Sequence, residues 1–277
     1  MGLRINTNQI AVNAQRNLRN NQAVLQGSSE KLASGSRINK SADDAAGLAI
    51  SDNLGGMVRS YQQAGRNAQD GISFVQVAEG GMGEIGNMLN RLRELSVQAS
   101  SDTIGNRERE FLDREAQQLK LEMERVAQST EFNGTKLLSG QGTKLDFQIG
   151  VNNDDFLDRI SYDPSQTNVS VDALGMSGIN LSDKAAAQSG LANIDNAILV
   201  LNSNRATLGA LQNRLTSTYA STEIAVENFS AAKSRIRDTD FASVTADMTR
   251  DMVKTQASTA VLSQANQSTQ MALRLLG

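Results

Sequence analysis

The sequence predicts a mainly α protein, a long coiled-coil-like helical bundle with a small β-hairpin region. Three observations carry that prediction. The 277 residues include a single proline, Pro164, so helices can run long without interruption. Aromatic residues make up 4% of the chain, too few to fill a broad globular core, whereas an apolar fraction of 39% rich in Ala, Leu, Ile and Val suits narrow helix–helix seams. Apolar residues recur at steps of three and four over most of the length, and one stretch in the middle alternates instead.

Residues 1 to about 33 read as a helix. Ala11, Leu18, Leu25 and Leu32 fall seven apart, and Ile5 and Val12 repeat the interval. Asn and Gln fill the rest of that segment, and its charge is basic, with Arg4, Arg16, Arg19 and Lys31 against Glu30. Residues 34–44, SGSRINKSADD, read as a polar linker in which Asp43 or Asp44 caps the next helix. From 45 to about 100 the stripe is Ile72, Val75, Met82, Ile85, Leu89, Leu92 and Ala99. After a break at Ser100–Asn106, Glu108 and Glu110 favour the dipole of a further helix, whose seam is Leu112, Ala116, Leu119, Met123 and Val126.

Residues 133–180 change character. Leu145, Phe147, Ile149 and Val151 alternate with polar residues as in a half-buried strand, a turn follows at Asn152–Asp155, and Ile160/Tyr162 and Val169/Val171 suggest two more short strands. Helical periodicity returns near 183, with Ser182 or Asp183 as N-cap, and runs through Leu191, Ile194, Ile198, Leu201, Leu208, Leu211 and Leu215. A break at Ser234–Asp240 precedes a last helix, with Phe241, Val244, Met248, Met252, Thr255, Thr259, Leu262, Asn266, Thr269, Leu273 and Leu276 in steps of three and four.

The two end segments need partners. Ordering about 33 residues costs roughly 1–2 kcal/mol each in backbone entropy. Eight or so aliphatic side chains return about 1.5–3 kcal/mol each only when fully buried. A lone helix buries almost none of that area. The arithmetic predicts ends that are disordered in the monomer and that order on assembly, with Leu18, Leu25, Leu32, Val244, Met248, Met252, Leu262, Leu273 and Leu276 as subunit-packing residues; the other reading is a plain antiparallel bundle with frayed ends.

Composition also excludes chemistry. The chain has no His, Cys or Trp, which removes the commonest general base, the thiol nucleophile and the usual zinc ligands. No enzyme activity, cofactor or metal is expected, and no disulfide is available. A net charge of −3 offers no basic field for nucleic acid. No apolar run approaches the roughly 20 residues a membrane helix needs. The opening MGLRINTNQIAVNAQRN lacks the apolar core of a Sec-type signal, so none is expected. Gly81-Met-Gly83-Glu-Ile-Gly86 matches G-x-G-x-x-G, but a nucleotide fold needs it at a strand-to-helix turn, and the helical stripe runs in phase through it. Asp154, Asp155 and Asp158 lie in a turn without EF-hand spacing, and the charged run from Arg107 to Arg125 reads as a solvated helix face.

Several long motifs, in order at both ends, resemble bacterial flagellin. They are INTNQIAVNAQRNL and LASGSRINKSADDAAGLAIS, then RNAQDGISFVQVAEG, LNRLRELSVQAS and EFNGTKLL, and finally SRIRDTDFA, VLSQANQ and the terminal LRLLG. The resemblance implies the flagellin core fold and a structural subunit that self-assembles into the bacterial flagellar filament. It implies inner-tube terminal helices with a linker at 1–44 and 235–277, an outer-wall helical bundle at 45–132 and 181–234, and a short β region of that wall at 133–180. It also implies secretion to the extracellular filament by the flagellar type III route, without a cleaved signal peptide. The partners implied are other copies of the chain, an export chaperone at roughly 235–277, and hook-associated and cap proteins. A host Toll-like receptor would read Asn90, Arg91, Leu95 and Gln98 on one helix and Glu115 on the next. Two other readings fit part of the pattern. A hook–filament junction protein shares such ends but should lack the run at 89–100, and a membrane-active amphipathic protein needs a basic face that Asn and Gln do not supply.

Overall fold

The computed structural model describes residues 8–274, with side chains described to residue 267. Five helices carry it: α1 (Gln9–Ser34), α2 (Ala45–Ala99), α3 (Asn106–Ser129), α4 (Lys184–Arg237) and α5 (Phe241–Arg274). Between α3 and α4 lie four short strands, β1 (Glu131–Phe132), β2 (Thr135–Lys136), β3 (Leu145–Gln148) and β4 (Arg159–Tyr162), and a 3-10 turn at Pro164–Thr167. The mainly α class with a small β-hairpin region is the class the sequence predicts.

Among the described residues there are two compact units. Residues 8–56 with 228–274 form one, and Met57–Glu227 form the other, so α2 and α4 each contribute to both.

In the first unit α1 and α5 pair as antiparallel helices. The Asn8 side-chain amide donates to the Ala265 carbonyl at 2.9 Å, and Asn21 donates to the Ser258 hydroxyl at 2.8 Å. Among the described residues the two end segments are helices, each packed on the other. Gly35 ends α1 in the left-handed conformation, with φ +67°, where a side chain would be strained. The following linker is more structured than its composition suggests. Ser36 bridges Asp238, Ile38 is buried, and the Asp43 carboxylate accepts the Asn39 and Lys40 N–H groups at 3.0 Å each. Asp44 caps α2 through the Gly47 N–H at 2.8 Å, as expected of that pair.

The second unit holds a continuous core. Met82, Ile85, Leu89 and Leu92 of α2 meet Ala116 and Met123 of α3 and Ile194, Leu201, Leu208 and Leu215 of α4. These are the stripes read from the sequence. A Cβ at Gly81 would lie 2.7 Å from both the Leu138 Cδ1 and the Thr130 Oγ1, so the β region approaches α2 as closely as a glycine allows. The G-x-G-x-x-G match therefore lies inside a helix, where one of its glycines makes room for a packed loop.

Two β features differ from expectation. Strands β1 and β2 form a hairpin with Phe132 opposite Thr135, turning on Asn133 and Gly134 at φ +49° and +78°. Asn-Gly tolerates those angles, and it is the signal in EFNGTK that marks the turn. Strands β3 and β4 pair antiparallel from Leu145↔Tyr162 to Gln148↔Arg159, as anticipated. Val169 and Val171 are buried but form no strand. The Val169 N–H donates to the Leu138 carbonyl, and Val171 opens a turn closed by the Met176 N–H. Alternation supplies a buried face, but a strand also needs a ladder partner.

Candidate functional site

The candidate surface is made by the helix seams and by what they leave uncovered. On α1, Leu18, Leu25 and Leu32 are half-buried and Ala14 is buried. On α5 the inward face is Val244, Met248, Asp251, Thr255, Ser258, Leu262 and Ala265, which alternates steps of four and three. The sequence stripe slips off this face at three places, to Met252, Thr259 and Asn266, all of which are exposed. Hydropathy prefers Met252 to Asp251, but the helix period puts Asp251 inward, where Lys254 pairs with its carboxylate at 3.1 Å. Met252 points away from α1. Leu276 lies outside the described residues; Leu273 is in α5, with its side chain outside them.

What the pair leaves uncovered is bulky. Ile10, Val12 and Val24 on α1 and Phe241, Met252, Val253 and Val261 on α5 are exposed, Val12 and Val253 at 60% each. These seven large apolar side chains are left to solvent along the length and around the circumference of two helices.

The residues that the resemblance assigns to a receptor divide. Asn90, Arg91 and Gln98 on α2 and Glu115 on α3 are exposed. Arg91 donates to the Glu115 carboxylate at 2.8 and 2.9 Å and to Glu94 at 3.0 Å. The Glu115 hydrogen bond, with that of Glu94, holds the guanidinium above its ordinary pKa. Leu95 is 1% exposed and belongs to the core with Leu92 and Ala99. As a surface contact it is corrected: it lies on the edge of α2 that the bundle covers, so no partner reaches it while the bundle is intact.

The charged run from Arg107 to Arg125 also corrects its reading as a wholly solvated face. Arg109 is buried and donates to the Ala99 and Ser101 carbonyls at 2.8 Å each, tying down the α2–α3 connection. Lys120 is 9% exposed and donates to the Ser177 carbonyl at 2.9 Å and to that of Ile179 at 3.3 Å. Burial pulls its amine below the ordinary value. The sequence signal for both is their in-phase position with the Ala116–Met123 seam.

The Asp154–Asp158 cluster is a turn. Asp154 accepts the Phe156 and Leu157 N–H groups at 2.9 Å each, which lowers its pKa, and Asp158 accepts the Asp154 N–H at 3.1 Å. Among the described residues no group of three His, Cys, Asp or Glu is placed to hold a metal ion, and no helix is long and apolar enough to cross a membrane.

Comparison with known proteins decides the family. Residues 5–143 match the bacterial flagellin N-terminal helical region, and residues 191–276 match the bacterial flagellin C-terminal helical region. The chain belongs to the bacterial flagellin family. It is 42% identical over 272 residues to a flagellin of Halalkalibacterium halodurans, covering 98% of this chain and 99% of that one. It is 40% identical over 285 residues to flagellin FlaB2 of Treponema pallidum, again covering 98% and 99%. Among solved structures, Bacillus cereus flagellin superposes with a TM-score of 0.51 at 30% identity, over 57% of this chain and 88% of that one. As a flagellin the chain is a structural subunit of the flagellar filament, and it is not an enzyme.

Proposed function

We propose that the α1–α5 pair is the part of the subunit that neighbouring copies cover, and that assembly completes its burial. The observation that carries this is the set of exposed large side chains on both helices, Ile10, Val12 and Val24 on one and Phe241, Met252, Val253 and Val261 on the other. Leu18, Leu25, Leu32, Val244, Met248 and Leu262 are half-buried within the pair, so neighbouring copies complete their burial and also cover the outward residues, Met252 among them. Covering each such side chain is worth about 1.5–3 kcal/mol, which a lone pair of helices forgoes. In this reading 1–44 and 235–277 line the inner tube, while 45–132 and 181–234, with the β region 133–180, build the outer wall.

The exposed apolar residues of α5, in a segment with no acidic residue from Met252 onward, suit an export chaperone that shields them before type III export. Cap and hook-associated proteins then meet the ends of the assembled filament. The Asn90, Arg91, Gln98 and Glu115 surface is the part of the receptor-like face that a Toll-like receptor could touch, and Arg91→Ala in a receptor-reporter assay should reduce the response.

Seeded polymerisation tests the main reading. The full chain should elongate short filament fragments, as seen by negative-stain electron microscopy, and a fragment lacking 1–40 and 241–277 should not. Elongation by the fragment at an equal rate would show that the ends do not drive assembly.

A further inference from the structure

Phe156 and Leu157 are the most exposed large apolar residues among those described, at 88% and 71%. They sit at the tip of the β3–β4 hairpin, and the tip is held firmly. Asp154 accepts both of their N–H groups, Asp158 is buried and accepts the Asp154 N–H, and Arg159 pairs with Asp155. A turn fixed by its own hydrogen bonds presents these side chains at little further cost in ordering.

The same unit contains an open recess. Helices α2 and α4 frame an open groove of about 530 Å3 lined by Tyr61, Gly65, Arg66, Tyr219, Thr222 and Val226. Gly65 makes its floor, where a Cβ would lie 3.4 Å from the Thr222 hydroxyl. The Thr222 hydroxyl donates to the Tyr219 carbonyl at 2.7 Å, and the Tyr219 hydroxyl donates to Glu223 at 2.6 Å. These polar atoms are already satisfied, which leaves the tyrosine rings and Val226 as an apolar strip in a lining that also holds Gln62, Arg66, Gln69, Glu223 and Glu227.

Tip and groove face opposite ways. On α2, Asn67, Gly71 and Phe74 point to the hairpin: Asn67 donates to the Gln148 carbonyl at 2.8 Å, and the Phe74 ring lies 5.5 Å from that of Phe147. Gln62, Arg66 and Gln69 line the groove. At 3.6 residues per turn those two rows are about 140° apart around the helix. A contact between tip and groove therefore joins the front of one copy to the back of another. Such a heterologous contact repeats in one direction and builds a ring or an open helical assembly according to its rotation, not a closed pair, and a helical assembly is the one a filament needs.

Charge agrees. Asp154 flanks the tip, while Arg66, which forms no ion pair among the described residues, stands at the groove. Arg214 borders the hollow beneath the tip, while Glu227 borders the groove. Opposite signs at both rims fix register and orientation.

We propose that in the filament the Phe156–Leu157 tip of one copy docks into the Tyr61–Gly65–Tyr219–Val226 groove of an adjacent copy. The proposal rests on the filament reading. The absence of native cysteine makes the test clean. Phe156→Cys and Val226→Cys chains are mixed, polymerised onto fragments of wild-type filament, treated with a short bismaleimide and run on a denaturing gel. Covalent dimers are expected from this mixture, and only background from Phe156→Cys mixed with Ser189→Cys, whose cysteine lies on an exposed part of α4 away from the groove. In parallel, Phe156→Ala combined with Leu157→Ala should raise the critical concentration for elongation about tenfold, the effect of losing an interface anchor, with monomer helicity unchanged. Filaments that form with dimers at background, or a double variant that elongates like wild type, overturn the docking. Wild-type chain that does not elongate at all overturns the filament reading, and the docking with it.

Discussion

Removing one side chain should loosen the whole β region. Phe74 on α2 is 3% exposed and meets three rings edge-on: Tyr162 of β4 at 4.9 Å between centroids, Phe147 of β3 at 5.5 Å and Phe132 of β1 at 5.8 Å. A single residue thus fastens both hairpins to the longest helix. Phe74→Ala removes a fully buried ring and leaves a cavity, a change that costs about 3–5 kcal/mol. Three edge-to-face pairs, each worth about 0.5–1.5 kcal/mol beyond their area, place the loss in the upper part of that range. For a domain of this size each kcal/mol moves the midpoint by about 2–4 °C, so a loss near 4 kcal/mol lowers Tm by about 8–16 °C. Thermal melting of the monomer, followed by far-ultraviolet circular dichroism, measures it. Phe111→Ala is the control: that ring is exposed and stacked only under Arg114, at 5.6 Å, so its loss should cost no more than about 1 kcal/mol. If Phe74→Ala melts no lower than Phe111→Ala, the aromatic cluster does not hold the β region on α2.

Two neighbouring glycines should respond in opposite directions. Gly80→Ala meets nothing within 4 Å and should stabilise α2 by about 1 kcal/mol through helix propensity, whereas Gly81→Ala collides with Leu138 and Thr130 and should destabilise by about 1–3 kcal/mol, both read as Tm shifts. A lowered Tm for Gly80→Ala would refute the packing argument. Lys120 should leave a mark in the alkaline limb of stability. Its folded pKa lies below the ordinary 10.5, so between those two values the unfolded chain binds the extra proton and stability rises with pH. Urea unfolding across that window should give a more positive slope for wild type than for Lys120→Met, and identical slopes would show that the amine is not desolvated.

The helical plan was legible because it is written in local spacing. Met82, Ile85, Leu89 and Leu92 repeat at the helix period, and the same residues fill the core, since a period of three and four admits one buried face whatever the partner is. The Asp44 cap and the β3–β4 pairing were legible for the same reason, each depending on neighbours along the chain. What failed depended on neighbours in space. Val169 and Val171 alternate like a strand but meet no edge to pair with, and the Val169 N–H goes to Leu138 instead. Leu95 has the composition of a surface anchor until the bundle closes over its edge of α2.

The sequence by itself determined which segments are helical, where the β insert lies, and that no thiol or imidazole chemistry is present. Only the tertiary structure decided which face of α5 turns inward, that Arg109 and Lys120 are buried donors, and that Phe156 stands out at the tip of the β3–β4 hairpin. The division follows from range. Periodicity and capping act within a few residues and are printed in the chain, but whether a side chain is covered depends on which other segment reaches it. That is set by the sum of all seams, so Asp251 is carried inward because Val244, Met248 and Leu262 share its face.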